Sequence, residues 1–289
     1  MCDVVIEAVD LSYTYRRVTL PALININFKI FEGELVVVTG HTGCGKSTLS
    51  RVMNGLIPHF YKGSMEGTMF VYGHDVRETP LKELCKIVGR TFQNAESQLL
   101  SSSVRRELAF GLENYGVSRE EMLERVSQIS DLMGLNSLLD KAPYELSGGE
   151  MQRVALASIL VMVPKVIVLD EPFGNLDWRG RKALFLNLLS LRNEGGYGNS
   201  GKLARKKTIV VFDHQIDPVI RIADRLIIME GGRIIQNGDP RTVFSNADAI
   251  NMPRIVQLFH RLKQEEITDG KAPLTPEELS DRLAMIKKT

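Results

Sequence analysis

The sequence contains little of what marks secreted, metal-binding or nucleic-acid-binding proteins. Only three cysteines, Cys2, Cys44 and Cys85, occur in 289 residues, and their spacing matches no metal-ligand pattern. An odd number of scattered cysteines favours a reducing compartment over a disulfide framework. Lysine and arginine together number 36 against 35 acidic residues, so the net charge is +1. This balance argues against a broad nucleic-acid footprint.

Long apolar runs and a leader pattern are also missing. The longest apolar run, residues 154–163, is broken by Ser158 and followed by Pro164 and Lys165. It is far shorter than the about 20 residues needed to span a bilayer. Residues 1–15 carry acidic residues early and lack the basic-then-apolar order of a signal region. We therefore expect a soluble chain that another chain must hold in place if it works at a membrane.

Short β-forming runs alternate with helical stretches along most of the chain. This alternation is typical of an α/β fold with a mainly parallel sheet. Five runs are almost continuously apolar, as strands covered on both faces are. These runs are residues 34–40, 86–92, 165–170, 208–213 and 225–230. Residues 1–35 and 68–72 predict a second, smaller sheet that is antiparallel.

Helical patterns occupy the segment between residues 94 and 150 and the end of the chain. Ser118, followed three positions later by Glu121, predicts a capping box, and Gly134 is placed to end that helix. Residues 272–288 predict a small capped terminal helix. The sequence thus predicts an inserted helical segment and a helical tail around the sheets.

The strand predicted at residues 34–40 leads into the phosphate-binding pattern G-x-x-x-x-G-K-[ST]. The motif consists of Gly40, His41, Thr42, Gly43, Cys44, Gly45, Lys46 and Ser47. Glycines let backbone amides wrap a phosphate where a Cβ would clash, and the following helix adds about half a positive charge. We predict that Lys46 bridges the β- and γ-phosphates of ATP, that Ser47 binds Mg²⁺ and that Thr48 helps to hold the α-phosphate.

Cys44 lies beside Lys46 at the predicted helix start, where a thiolate is favoured. Two interpretations remain open at this stage. Cys44 is either a small residue that fits the turn or a thiol whose modification blocks the phosphate cradle. Protection of Cys44 from maleimide by ATP would support the second interpretation.

Two carboxylates, Asp170 and Glu171, end the apolar run at residues 165–170. Such a pair at the end of a buried strand is costly unless it meets a cation or a substrate. We predict that Asp170 holds Mg²⁺, directly or through water, and that Glu171 polarises the attacking water. An acidic loop after a core strand is the alternative. Gln93 follows the run at residues 86–92 and is a candidate to contact both Mg²⁺ and the attacking water. His214 follows the run at residues 208–213 and is a candidate to contact the γ-phosphate.

A second candidate cradle lies in the stretch YELSGGEMQRVALA, residues 144–157. Ser147, Gly148 and Gly149 come directly before a helix-forming run, as in a cradle built from backbone N–H groups. This cradle contains no lysine, which raises the question of which phosphate it binds.

Residues 5 to about 243 resemble the ATP-binding subunit of ATP-binding cassette (ABC) transporters. Six motifs occur in family order: the P-loop, Gln93 (Q-loop), 146–150 (signature), Asp170-Glu171, 174–177 (D-loop) and His214 (switch histidine). The resemblance implies an α/β, P-loop NTPase (RecA-like) core with a mainly parallel sheet, a small antiparallel β subdomain and an inserted α-helical subdomain at about 94–150. It implies an ATP-binding domain at 1–243 and a C-terminal helical extension at 244–289.

In this family two subunits pack head to tail and bury two ATP molecules. The resemblance therefore implies that residues 147–149 contact the γ-phosphate of an ATP bound to the partner, together with Asp177 of the D-loop. Tyr15 lies where the family stacks an aromatic ring on adenine, and Tyr13 is the alternative.

The chain departs from the common family pattern at two places. Glu150 stands where the family usually has glutamine, and its carboxylate either points away from the nucleotide or faces it and weakens dimer closure. The basic, glycine-rich loop at residues 192–207 is longer than usual, and a solvated charged loop is its default interpretation.

A looser resemblance points to the energy-coupling factor branch, which imports vitamins, cobalt or nickel in prokaryotes. It rests on residues 54–59, 92–98, 110–114 and 273–277. The branch implies a membrane-embedded coupling protein, a substrate-capture protein and two ATPase subunits, alike or paralogous, at the cytoplasmic face of the cell membrane. Residues 94–106 are expected to form the groove for the coupling protein, or else a plain loop. The polar residues considered for this groove are Ser97, Ser101, Ser102 and Ser103.

The implied activity is ATP hydrolysis, in which ATP binding closes the dimer and hydrolysis opens it. We expect no nucleic-acid partner and no direct contact with the cargo. Two alternatives remain: an ATPase subunit of another ABC importer or exporter, and a soluble ABC ATPase that works outside transport. The near-zero net charge argues against the second alternative.

Overall fold

The computed structural model describes residues 3–92, 94–174, 176–194, 206–245 and 252–286. Gln93 and most of the basic loop predicted at 192–207 lie outside the described residues. The strands are β1 Val4–Tyr15, β2 Leu23–Phe31, β3 Leu35–Gly40, β4 Gly63–Val71, β5 His74–Asp75, β6 Val88–Arg90, β7 Val166–Asp170, β8 Thr208–Phe212, β9 Arg225–Glu230 and β10 Arg233–Gly238.

Helices follow or connect most of these strands. They are α1 Lys46–Met53, α2 Leu56–His59, α3 Leu81–Ile87, α4 Val104–Asn114, α5 Arg119–Met133, α6 Gly148–Leu160, α7 Trp178–Glu194, α8 Pro240–Phe244, α9 Arg254–Gln264 and α10 Pro276–Ile286. The terminal helix predicted within residues 272–288 is therefore present as α10.

The strands form two sheets, as the sequence pattern predicts. One has four antiparallel strands in the order β2-β1-β4-β5, and the other has six in the order β10-β9-β3-β8-β7-β6. In the larger sheet β9, β3, β8, β7 and β6 are parallel, and only the edge strand β10 pairs antiparallel. The predicted α/β fold with a mainly parallel sheet and a smaller antiparallel sheet is confirmed.

The larger sheet separates two hydrophobic cores. Successive side chains on a strand point to opposite faces, and the residues of β3 divide accordingly. Leu35 and Val37 pack with the helical part of the molecule, whereas Val36 and Val38 pack with the antiparallel sheet and α1. All four are fully buried, which explains why the strand is apolar throughout.

The inserted helical segment contains α4, α5 and α6, which pack against one another. The Ser118 hydroxyl accepts a hydrogen bond from the Glu121 N–H and so caps α5, as predicted. Gly134 ends this helix in a left-handed conformation with φ 62°. Because α6 begins with the second candidate cradle, the packing of these helices fixes the position of that cradle.

The C-terminal segment packs on the same core as the helical part. Val256 of α9 and Leu279 of α10 are buried in it. The Arg241 guanidinium makes two 2.7 Å hydrogen bonds to the Glu278 carboxylate and thereby joins α8 to α10. In the described part of the chain, no helix combines the length and the apolar character that crossing a membrane requires.

Candidate functional site

The first phosphate cradle connects the end of β3 to the start of α1. Gly45 has a φ of 106°, and a Cβ at this position would lie 2.6 Å from the Ala22 carbonyl oxygen, so only glycine fits. Gly43 also has a positive φ of 83°, and the space where its Cβ would lie is open. The loop therefore turns tightly and leaves room inside the turn, as a phosphate cradle requires.

Lys46 lies inside this turn and is only 5% exposed. Its Nζ donates hydrogen bonds to the carbonyl oxygens of Gly40 at 2.8 Å and His41 at 3.0 Å. The backbone of the loop thus satisfies the buried cation and holds it where phosphate oxygens can replace these carbonyls.

Cys44 is packed under the same turn and is buried. Its Sγ lies 3.8 Å from the Lys46 Nζ, and a Cβ on Gly40 would approach that sulfur to 2.6 Å. This packing supports the interpretation of Cys44 as a small residue that fits the turn. His41 and Thr42, by contrast, are exposed at the outer side of the loop.

Asp170 at the end of β7 is buried and holds three groups. Its Oδ1 accepts a hydrogen bond from the Ser47 hydroxyl at 3.2 Å. Its Oδ2 accepts one from Arg90 Nη2 at 2.7 Å and one from the Ser50 hydroxyl at 3.1 Å. Burial lowers the pKa of the Arg90 guanidinium, and the Asp170 charge opposes that shift. The two charges therefore compensate each other in a nearly dry site.

The Ser47 hydroxyl and the Asp170 carboxylate fit a magnesium ion by their chemistry. Both are hard oxygen ligands, and they lie within 3.2 Å of each other. The described residues contain no group of three or more His, Cys, Asp or Glu side chains that could hold a metal. Mg²⁺ typically binds one or two protein oxygens and completes its shell with phosphates and water, so two protein ligands are sufficient here.

Glu171 and His214 lie at the same edge of the sheet, at the ends of neighbouring strands β7 and β8. The Glu171 N–H donates to the Phe212 carbonyl at 2.7 Å, and its backbone has a positive φ of 50°. His214 Nδ1 lies 3.9 Å from Glu171 Oε1. The structure thus brings together two residues that are 43 positions apart in the printed sequence.

Asp213 is a site residue that the sequence reasoning missed. It is fully buried, and its oxygens accept hydrogen bonds from the N–H groups of Phe173 and Gln215. Its Oδ1 also lies 3.5 Å from His214 Nδ1, and burial raises its pKa. Asp213 therefore ties the turn after Glu171 to the segment that carries His214. Its position at the end of an apolar strand was the available signal.

Two tyrosines near the cradle have different environments. Tyr13 is fully buried, and its hydroxyl donates to the Tyr61 carbonyl. Tyr15 is only partly buried, and its hydroxyl lies 3.2 Å from the Thr48 hydroxyl and accepts a 2.8 Å hydrogen bond from Arg51. Of the two candidates for stacking on adenine, Tyr15 is the one with an accessible side chain next to α1.

The second cradle opens α6. Ser147 is its N-cap, and the Ser147 hydroxyl accepts from the Glu150 N–H at 3.4 Å. The Glu150 Oε2 in turn accepts hydrogen bonds from the Ser147 N–H and hydroxyl, both at 2.8 Å. These bonds hold the pKa of the Glu150 carboxyl below its usual value.

An open cleft of about 560 Å³ lies at this helix start. Its lining includes Ser147, Gly148, Gly149, Glu150, Arg153 and Asp177. Asp177 Oδ1 accepts a 2.7 Å hydrogen bond from the Gly180 N–H at the beginning of α7. The structure thus places the predicted signature and D-loop residues in one cleft, while Asn175 lies outside the described residues.

Another cleft, of about 530 Å³, extends from Asp170 towards the surface. Its lining includes Phe60, Tyr61, Arg90, Phe92, Asn94 and Ser97. Of the predicted groove segment 94–106, only its first part contributes described residues to this lining. The hydroxyls of Ser102 and Ser103 accept hydrogen bonds from Arg106 at the start of α4.

The aromatic rim of this cleft was not predicted as such. The residues Phe60 and Phe92 are 69% and 42% exposed, respectively, whereas phenylalanine is more often buried. The sequence pattern alone does not distinguish an exposed phenylalanine from one in the core. Phe60 also follows directly after the apolar residues of α2, so the pattern there is the same as for a core residue.

Comparison with known proteins identifies the class to which this arrangement belongs. A family model described as ABC transporter matches residues 23–174, more than half of the chain, so the chain belongs to the ABC transporter family. It is an ATPase of that family. Such ATPases bind ATP, dimerise and act with membrane components.

Three similar proteins indicate which branch of the family this chain resembles. A protein of Pyrococcus abyssi, provisionally named an ABC transporter ATP-binding protein, is 39% identical over 97% of this chain and 98% of its own length. The energy-coupling factor transporter ATP-binding protein EcfA2 of Streptococcus sanguinis is 36% identical over 95% and 97%. The solved structure of cbiO1 from Clostridium perfringens, described as part of the ABC transporter complex cbiONQ, aligns with a TM-score of 0.73 and 32% identity, covering 89% of this chain and 99% of that one. The predicted resemblance to ABC ATPases of the energy-coupling factor branch is confirmed.

Proposed function

We propose that this chain is the ATP-hydrolysing subunit of an energy-coupling factor-type membrane importer for a vitamin or a transition metal. The similarity to EcfA2 over nearly the whole of both chains supports this assignment, as does the likeness to cbiO1. The proposed place of the chain is peripheral, at the cytoplasmic face of the membrane.

The observation that carries the proposal is the separation of the two cradles. The described lining of the cleft at the start of α6 includes Ser147, Gly148 and Gly149 but no residue of the P-loop at 40–48. A phosphate that enters this cleft therefore arrives on a nucleotide whose main binding residues belong to another chain. Head-to-tail pairing of two such subunits, with each signature facing the partner's ATP, satisfies this requirement.

Within one composite site, each side chain has a proposed role. Lys46 exchanges its two carbonyl partners for the β- and γ-phosphates, and Tyr15 stacks on the adenine. Glu171 orients and polarises the attacking water, and His214 donates a hydrogen bond to the γ-phosphate. These roles correspond to positioning and charge stabilisation, which dominate catalysis of phosphoryl transfer.

Mg²⁺ would be held by Ser47 and Asp170, with Gln93 as a further proposed ligand, and it would neutralise charge on the phosphates. Arg90 keeps one oxygen of Asp170 engaged and leaves Oδ1 directed to Ser47. The carboxylate is thus already oriented towards the side of the P-loop.

The cleft rimmed by Phe60 and Phe92 is the proposed docking groove for helices of the membrane-embedded coupling protein. Its exposed aromatic side chains match the apolar anchors that such helices present. We propose an ATP-binding domain at 1–243, with its helical subdomain at about 94–150, and a C-terminal extension at 244–289.

A mixing experiment tests the composite site. Lys46→Ala lacks a working P-loop, and Ser147→Arg lacks a working signature, so each variant alone should hydrolyse little ATP. A mixed dimer contains one intact P-loop opposite one intact signature, and mixing should therefore restore ATPase activity. If the mixture is no more active than the two variants measured separately, the composite site is wrong.

Co-purification tests the transport assignment. Tagged wild-type chain isolated from detergent-solubilised membranes of its own cells should bring an integral membrane protein with it. Phe60→Asp should lose that protein, whereas Leu123→Asp, an exposed apolar residue on α5, should retain it. Ribosomes or nucleic acid in place of a membrane protein would favour a soluble ABC ATPase instead.

A further inference from the structure

Glu150 makes contacts that bear directly on the second cradle. One carboxylate oxygen, Oε2, accepts the Ser147 N–H and the Ser147 hydroxyl, each at 2.8 Å. These two groups are hydrogen-bond donors at the entrance of α6, in the cleft where a phosphate would bind. The resting subunit therefore has an anion of its own on the donors that a phosphate needs.

A neighbouring turn makes the same kind of capping interaction, but away from the second cradle. Glu145 Oε2 accepts the Ala142 N–H at 2.7 Å, the same contact three residues back. Glu145, however, is not among the described residues that line the cleft, whereas Glu150 is. The two glutamates thus have similar local roles, and only one of them faces the proposed phosphate site.

The surroundings of Glu150 favour the negatively charged form of its carboxyl group. The Ser147 N–H holds the pKa of the Glu150 carboxyl down, and the charges of Lys141 and Arg153 act in the same direction. A carboxylate at a helix N-terminus is favourable in the isolated subunit. Next to a γ-phosphate the same charge is repulsive, so the contact stabilises the open state more than the closed state.

We propose that Glu150 is a positioning residue that occupies the phosphate cradle of the resting subunit with its own carboxylate, so that the partner's ATP closes the dimer only by displacing it. This inference rests on the proposed composite site and adds a threshold to it. A subunit whose Ser147 donors are already occupied closes at a higher ATP concentration than one whose Ser147 donors are free.

Glutamine at this position is the informative substitution. The side chain of Glu150→Gln keeps the length and an oxygen that can accept the Ser147 N–H, so the cap survives. It removes the negative charge and adds an amide N–H that can donate to a phosphate. The exchange therefore separates the capping role from the occupation of the cradle by an anion.

The test measures ATP-dependent dimerisation in a Glu171→Gln background, which slows turnover of the bound ATP. Sedimentation across an ATP·Mg²⁺ series gives the concentration at which half of the chain is dimeric. Glu150→Gln should lower this concentration by about tenfold, the effect expected from one hydrogen bond to a charged group. Glu145→Gln is the matched control and should leave it unchanged.

Two further readouts distinguish this role from a structural one. The ATP affinity of the monomer should be the same in Glu150→Gln and Glu145→Gln, and Glu150→Gln should lower the thermal midpoint without nucleotide only slightly, because the loss of a favourable charge at the helix N-terminus is small. A half-dimerisation concentration that is equal in both variants, or higher in Glu150→Gln, would overturn the inference. If the Glu171→Gln parent itself does not dimerise with ATP, the composite site fails, and this inference fails with it.

Discussion

The two cradles of this chain use the same backbone device but differ in what lies beneath it. Both place glycines at the start of a helix: residues 40–45 precede α1, and Gly148 and Gly149 are the first residues of α6. Under the first lies a buried lysine held by backbone carbonyls, and Asp170 accepts a hydrogen bond from the next residue, Ser47. The second opens onto a cleft, and the Glu150 carboxylate accepts hydrogen bonds from Ser147 at its edge. The comparison teaches that the two helix starts differ in support: a buried lysine and a buried Asp170–Arg90 pair accompany the first, whereas the second opens onto a cleft, which fits the proposed shared site.

The largest effect is expected at the acidic end of β7, which only the first cradle has. Glu171→Gln keeps the size of the side chain but cannot polarise water as a carboxylate does. We expect ATP turnover to fall by about 10²–10³-fold while ATP still binds. Steady-state hydrolysis and equilibrium binding of ATP measure the two effects. Glu124→Gln on the exposed face of α5 is the control, and wild-type turnover in Glu171→Gln would remove that residue from its proposed role.

Substitution of Arg90 tests whether the buried Arg90–Asp170 ion pair stabilises the structure around the first cradle. Arg90→Met leaves Asp170 buried without its partner, and breaking such a pair costs about 3 kcal/mol of stability. The free energy of unfolding in urea, measured without nucleotide, should drop by that amount. The double variant Arg90→Met/Asp170→Asn removes both charges and should recover most of the loss. Equal stability of wild type and Arg90→Met would show that the pair does not support the cradle.

A pair of single variants tests the comparison itself. Lys46→Ala should weaken ATP binding to the monomer by about tenfold or more, because it removes charge-assisted hydrogen bonds to phosphate. Ser147→Arg alters only the second cradle and should leave the affinity of the monomer unchanged while blocking hydrolysis. Calorimetric titration of monomers with ATP measures both. Loss of monomer binding in Ser147→Arg would mean that the second cradle holds the chain's own nucleotide.

The smallest expected effect concerns Asp213 and depends on pH. Burial raises the pKa of Asp213, so the folded protein binds this proton more tightly than the unfolded chain does. The burial penalty is absent below the ordinary pKa of 3.8, and it grows as the pH rises through the raised value. The thermal midpoint of wild type should therefore fall relative to Asp213→Asn over that acidic range. A pH-independent difference would contradict a buried, ionising Asp213.

Much of the fold and of the nucleotide site could be predicted because the signals are local. The apolar strands, the P-loop and the acidic pair at the end of β7 each lie within a few consecutive residues. The signature could be located in the same way, but the nucleotide that it contacts could not, since the proposed composite site takes that nucleotide from another molecule. The roles assigned to all predicted site residues, including the P-loop, the signature and Asp170 as well as Gln93, Glu171 and His214, remain predictions.

What the sequence could not show depends on contacts between distant parts of the chain. Arg90 lies within the strand predicted at residues 86–92, and only the pairing of β6 with β7 shows that it reaches Asp170. Tyr13 and Tyr15 lie two residues apart on the same face of β1, so only the surrounding structure decides that Tyr13 is fully buried and Tyr15 is not. Cys44 could be interpreted as reactive or inert until its burial under the turn was known.

The division of the interior by the larger sheet has a consequence for how this protein can change. Neighbouring residues of β3 pack in different cores. Val38 packs on the side of α1 and the antiparallel sheet, and Val37 packs on the side of the inserted helices. Removal of a methyl group from one of these side chains weakens the packing of one core and leaves the packing of the other core unchanged. Residues on one side of the sheet can therefore be exchanged independently of those on the other, so that the packing of the inserted helices and the packing beneath α1 can diverge separately.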